Sequence, residues 1–118
     1  MATAVKRKLT GSTDGRGIGI TAIGSLGNVI HTAVVGTTPG TFDEIWLYAH
    51  NVSTSSVAMT LQFGSSSASD NVILTVPSQT GKQLIVAGEI LQNSSSVYAY
   101  ATTASCIVIG GFVNSMTD

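Results

Sequence analysis

Charge is what this sequence has least of: only 9% of its 118 residues are Asp, Glu, Lys or Arg, and the formal net charge is -1. A freely diffusing small protein usually keeps about 25 to 35% of its surface charged. This chain falls far short, so we expect other subunits to cover much of its surface. Near-zero net charge also gives no general attraction to nucleic acid or to acidic membranes. Cys106 is the single cysteine, which excludes an internal disulfide framework and a Cys-rich metal site. Within the apolar run Cys106-Ile107-Val108-Ile109 it reads as a small core residue. No apolar run is long enough to span a bilayer, and Met1-Ala2-Thr3-Ala4-Val5-Lys6 lacks the long apolar segment of a signal peptide. We therefore expect synthesis and folding in a cytoplasm, where the sequons at Asn51 and Asn93 have no glycosylation meaning.

Helical periodicity is missing as well, and what is present is alternation. The stretch Phe42 to Phe63 contains two runs, Phe42 to Val52 and Val57 to Phe63, joined by Ser53-Thr54-Ser55-Ser56, and reads as a β-hairpin. In the second run Val57, Met59, Leu61 and Phe63 share one face and Ala58, Thr60 and Gln62 the other, the period of a half-buried strand. The first run is apolar on both faces, with Ile45, Leu47 and Ala49 on one side and Trp46 and Tyr48 on the other beside Glu44 and His50. A plain four-residue loop would turn Trp46, Tyr48 and His50 toward Met59, Leu61 and Phe63, whereas a one-residue bulge would put Ile45, Leu47 and Ala49 in the core. The bulged register is favoured, because it leaves the polar ends of Trp46, Tyr48 and His50 able to find partners.

Turn signals divide the remainder. Gly11 to Gly15 ends on Asp-Gly, Gly24 to Asn28 and Thr37 to Gly40 are further turns, and Gly64 to Asp70 is a small-residue loop that should be exposed and mobile. Between them lie short extended runs at Gly17–Ala22, Val29–Val35, Asn71–Val76, Leu84–Val86, Ser96–Thr102 and Cys106–Val113. Pro77 closes one of them, Gly88 to Asn93 reads as a turn or bend, and Gly110-Gly111 reads as a bulge or a close backbone approach. Eight or nine short strands without a helix predict an all-β fold, an antiparallel β-sandwich of jelly-roll-like form. Residues 1–16 are expected to be a basic arm and turn, and residues 17–118 a single sandwich domain.

Chemistry is sparsely represented. Gly17-Ile18-Gly19-Ile20-Thr21-Ala22 matches a loose dinucleotide-site pattern, but that site needs a following helix and these residues favour a strand. His31 and His50, with Asp43 and Glu44, lack the spacing of a metal site. His50 and Glu44 share a strand face but lie roughly 20 Å apart on an extended strand. A triad of Asp43, His50 and a serine has no supporting spacing either. No catalytic, cofactor or metal residue is therefore expected, and the protein is read as no enzyme. Trp46, Tyr48, Tyr98 and Tyr100 suit either a sugar-stacking platform or a protein interface, and the low overall charge favours the interface. They are not interleaved with Lys or Arg, which disfavours nucleic acid. Lys6, Arg7, Lys8 and Arg16 are four of the five basic residues, so the amino end is basic on an almost uncharged body.

Ser12-Thr13-Asp14-Gly15, Ile30-His31-Thr32, Asp43-Glu44-Ile45-Trp46-Leu47-Tyr48, Pro77 with Gly81, and Gly111-Phe112-Val113-Asn114 together resemble small virion structural proteins of tailed bacteriophages. They are especially similar to the head decoration, or cement, proteins of phages infecting aquatic bacteria. The resemblance implies a jelly-roll-like protein on the outer capsid of the virion, often a homotrimer, that clamps neighbouring major capsid subunits and carries no catalytic residues. On that basis Lys6, Arg7, Lys8 and Arg16 are expected to contact the capsid, and Trp46, Tyr48 and His50 to form the subunit interface. A tail or fibre component and a small carbohydrate-binding sandwich are the rival expectations.

Overall fold

A computed structural model describes residues 3–118, so Met1 and Ala2 of the expected arm lie outside the described residues. Nine strands follow in order: β1 (Thr3–Lys8), β2 (Ile18–Gly19), β3 (Asn28–Thr32), β4 (Phe42–Asn51), β5 (Val57–Gly64), β6 (Asn71–Val76), β7 (Gln83–Leu91), β8 (Ser96–Ala101) and β9 (Ile107–Thr117). The sole helical element among the described residues is a 3-10 turn at Ala68–Asp70. The strands form two antiparallel sheets packed face to face, an all-β sandwich. The first sheet has the order β1-β9-β4-β7, with β2 also pairing β9; the second has the order β3-β8-β5-β6.

The core fills the space between them. Ile45, Leu47 and Ala49 of β4, Ile107, Ile109 and Val113 of β9, Met59 and Leu61 of β5, and Val97 and Ala99 of β8 are all essentially inaccessible. Each fully buried aliphatic side chain of this kind contributes about 1.5 to 3 kcal/mol. Leu9 and Ile20 join the same cluster, so the segment after β1 is anchored and not merely appended. Thr3–Lys8 pairs in register with β9 from Thr3↔Thr117 to Lys8↔Phe112. The first sixteen residues, expected as an arm and turn, thus supply an edge strand followed by a turn in which Asp14 and Gly15 both have positive φ.

Two expectations are corrected. The stretch from Phe42 to Phe63 is not a hairpin, because β4 pairs with β9 and β7 while β5 pairs with β8 and β6 in the opposite sheet. Asn51, 2% exposed, steers the chain between the sheets. Its Oδ1 accepts from the Ser53 backbone N–H at 2.8 Å and the Ser53 hydroxyl at 2.7 Å, while its Nδ2 donates to Ser55 O and to Val76 O. The face assignment is nonetheless as expected, with Ile45, Leu47 and Ala49 inside and Trp46, Tyr48 and His50 outside. No bulge in a β4–β5 ladder is required, since there is no such ladder.

The second correction concerns Gly88 to Asn93. The strand continues through Gly88 to Leu91, and the register against β4 shifts between Ile45 and Trp46 and again between Leu47 and Tyr48. Gly88, at φ +79°, absorbs the first bulge. The turn itself lies later, at Asn93 and Ser94, both in the left-handed region.

Candidate functional site

The outward row of β4 is Phe42, Glu44, Trp46, Tyr48 and His50, every one of them half-buried on the face turned away from the second sheet. Side-chain alternation alone produces this row, since the inward residues Asp43, Ile45, Leu47 and Ala49 are buried. On β9 the corresponding row is Val108, Gly110, Phe112, Asn114 and Met116, and the ladder sets Trp46 opposite Phe112, Glu44 opposite Asn114 and His50 opposite Val108. Leu84 and Ile90 of β7, 50% and 56% exposed, carry apolar surface toward the sheet edge.

The centre of this face is tightly organised. The Trp46 and Phe112 rings stack with centroids 6.2 Å apart and planes 11° from parallel. On the far side of Phe112, Lys6 Nζ sits 4.3 Å from the ring centroid, a cation–π contact. The Trp46 indole N–H donates to Glu44 Oε1 at 2.8 Å, and Asn114 Nδ2 donates to the same oxygen at 3.1 Å. These two hydrogen bonds, the Trp46 one foremost, hold the Glu44 carboxyl below its ordinary pKa. Gly88 makes room on the other side, since a Cβ there would lie 3.1 Å from Trp46 Cζ2. Gly111 does the same from beneath: at φ +147° a Cβ would collide with the Trp46 carbonyl oxygen. The expected close backbone approach at Gly110-Gly111 is this contact, in a ladder with no register shift.

The basic residues are separated by the same alternation. Lys6 and Lys8 lie on the outward face of β1, and Lys8 Nζ donates to Ser12 O at 2.9 Å. Arg7 is opposite the buried Val113 and so points along the inner side of the sheet edge. Arg16 lies in the turn after β1 and is exposed. His50, the third expected interface residue, is half-buried and its Nδ1 is enclosed with no hydrogen-bond partner. Tyr98 and Tyr100 are on the outer face of the other sheet, opposite Gln62 and Thr60. They cannot form one stacking platform with Trp46 and Tyr48.

A second feature was not legible from spacing. His31 of β3 and Asp43 of β4, twelve residues apart, meet between the sheets with Nε2 and Oδ2 at 2.6 Å. The Thr10 backbone N–H donates to His31 Nδ1 at 3.1 Å, so Nδ1 carries no proton and Nε2–H donates to Asp43. They stand at one end of a cavity of about 230 Å³ lined also by Arg7, Lys8, Thr10 and Ser115. A general-base histidine needs one ring nitrogen free to take a proton, and here both are committed. Asp43 faces away from His50 on the strand, so the triad of those two residues with a serine does not form. Among the described residues no three His, Cys, Asp or Glu side chains gather as a metal site.

No family model matches this sequence, no curated protein is significantly similar to it, and no solved structure is significantly similar to its fold.

Proposed function

We propose that the protein is a non-enzymatic structural subunit that docks on a larger protein assembly through the outer face of its first sheet. The observation that carries this reading is the uncovered row built on Trp46 and Phe112. Large rings with satisfied polar tips, fixed in place by Gly88, Gly111 and Glu44, are the composition of interface anchors. With 9% charged residues in the whole chain, a protein partner suits this face better than a nucleic acid.

In its specific form, the protein decorates the outer capsid of a tailed phage and cements it by bridging major capsid subunits. Two segments of the virion-protein resemblance support this, because Asp43 to Tyr48 and Gly111 to Asn114 are neighbours on β4 and β9 and both contribute to the docking face. The strand order β1-β9-β4-β7 over β3-β8-β5-β6 supports reading the sandwich as a jelly roll, a fold common among capsid proteins. A homotrimer with several shell contacts gains by multivalency, since each contact after the first is effectively intramolecular. Modest individual contacts then suffice, and Lys6 and Lys8 beside the aromatic row favour an acidic rim on the capsid partner. The committed ring nitrogens of His31 support the non-enzymatic part.

Immunogold electron microscopy of the source virions, with antibody raised against this chain, tests the assignment. Gold over the heads is expected. Gold confined to the tails would move the same face to a tail or fibre role, and particles without gold would remove the protein from the virion.

A further inference from the structure

The sandwich has four sheet edges, and three of them are closed to further pairing. On β1 the edge carries Lys6, Arg7 and Lys8, and lysines on an edge strand resist strand addition. On β7 two bulges and Glu89 break the ladder. On β3 the preceding loop covers the edge: Gly11 N–H donates to Ile30 O at 3.0 Å, and Thr32 N–H donates to Thr10 Oγ1 at 2.7 Å. The fourth edge, β6, has none of these devices. Asn71-Val72-Ile73-Leu74-Thr75-Val76 has no charge, no bulge against β5 and no proline before Pro77, and Ile73 is 73% exposed.

The free hydrogen-bonding groups of β6 can be assigned. Thr102 N–H donates to Ala58 O across β8 and β5, so Ala58, Thr60 and Gln62 direct their backbone groups to β8. By the alternation of an antiparallel ladder, Val57, Met59 and Leu61 direct theirs to β6. Their partners Val76, Leu74 and Val72 are thereby satisfied. Asn71, Ile73 and Thr75 point outward. The Asn71 N–H is already bonded to Ala68 O, which leaves the Asn71 carbonyl and both groups of Ile73 and Thr75.

We infer that β6 pairs with β6 of a second copy of this chain, antiparallel and about a two-fold axis through Ile73. A two-fold interface sets the residue on its axis against itself, so an uncharged residue there avoids opposing like charges. In this register Ile73 meets Ile73 of the second copy, exchanging two backbone hydrogen bonds, and each Thr75 N–H reaches the Asn71 carbonyl opposite. Apolar faces apolar and polar faces polar. The four-stranded sheet becomes eight strands running continuously through both copies. This pairing uses the second sheet's edge and does not depend on what docks on the first sheet's face.

Light scattering on the purified chain tests it. The I73K variant, altered at an exposed position that does not touch the core, should halve the wild-type solution mass and retain its circular dichroism spectrum. A wild-type monomer, or a mass unchanged by I73K, would overturn the pairing. In a C106S background, a short bismaleimide should cross-link I73C as a pair, because directly opposed Cβ atoms lie about 4.5 to 5.5 Å apart. T75C, whose partner is Asn71, should cross-link far less; equal or greater cross-linking by T75C would overturn the Ile73 axis.

Discussion

The strands of the first sheet carry Lys6, Arg7, Lys8, Asp43, Glu44 and Glu89, whereas β3, β8, β5 and β6 contain no Asp, Glu, Lys or Arg. Their outer faces differ in a second way. On the second sheet Gln62, 1% exposed, is roofed by the chain's own loop, accepting from Gly27 N–H at 3.0 Å and donating to Ser25 Oγ at 3.1 Å. On the first sheet the contacts that hold Trp46 and Phe112 come from the sheet itself, from Glu44 and Lys6 and from the two rings on each other. One face is finished within the chain; the other is prepared and left open. The contrast ties Glu44 and Lys6, two of the few charges of this sequence, to the open face, where they contact the aromatic rings.

His31 and Asp43 tie β3 of one sheet to β4 of the other. H31A should cost about 3 to 5 kcal/mol in urea denaturation, because it strands a buried carboxylate whose other oxygen already lacks a partner. The support beneath each face can then be broken separately. G111A should cost about 2 to 4 kcal/mol through collision and strain and should alter Trp46 fluorescence. G27A, whose Cβ would run into the Ala99 backbone under the second sheet's loop, should cost about 1 to 3 kcal/mol and leave that fluorescence unchanged. If both variants perturb Trp46 alike, the faces are not independent.

Smaller effects separate binding from stability. W46A should cost only about 1 to 2 kcal/mol of stability, since the ring is half-buried, and under the proposed decoration role should weaken attachment to phage heads at least about tenfold. Co-sedimentation with heads measures the second quantity. The smallest effect concerns Glu44. Its folded-state pKa lies below the unfolded value, so its contribution is present above the unfolded pKa and is lost as pH falls through the folded one. Thermal melts taken from neutral to acid pH should therefore fall more for wild type than for E44Q.

Much of this architecture is legible in the sequence, because alternation survives whichever strand lies alongside. The apolar parity of β4 assigns Ile45, Leu47 and Ala49 to the core, and Asp14-Gly15 and Pro77 mark real boundaries. Pairing partners are less legible. Ser53 to Ser56 has the length of a hairpin loop, and the four hydrogen bonds of the Asn51 side chain that hold the crossover into the other sheet have no local sequence signature. Gly88 signals a break to any local reading, but its purpose is to admit the Trp46 ring. The stack of Trp46 on Phe112 joins strands far apart in sequence, and the contact of His31 with Asp43 joins consecutive strands of opposite sheets, so neither leaves a local spacing to detect. Cross-strand parity offers one usable signal: given β4 beside β9, the even-numbered residues of both strands share the outer face.

Hydroxyl-radical footprinting of the chain, free and mixed with phage heads, distinguishes docking through the first sheet from docking through the second, because both faces carry oxidisable rings. The account predicts protection of Trp46, Phe112 and Met116 on binding, with Tyr98 and Tyr100 unchanged. Protection of Tyr98 and Tyr100, with Trp46 and Phe112 still reactive, would contradict it.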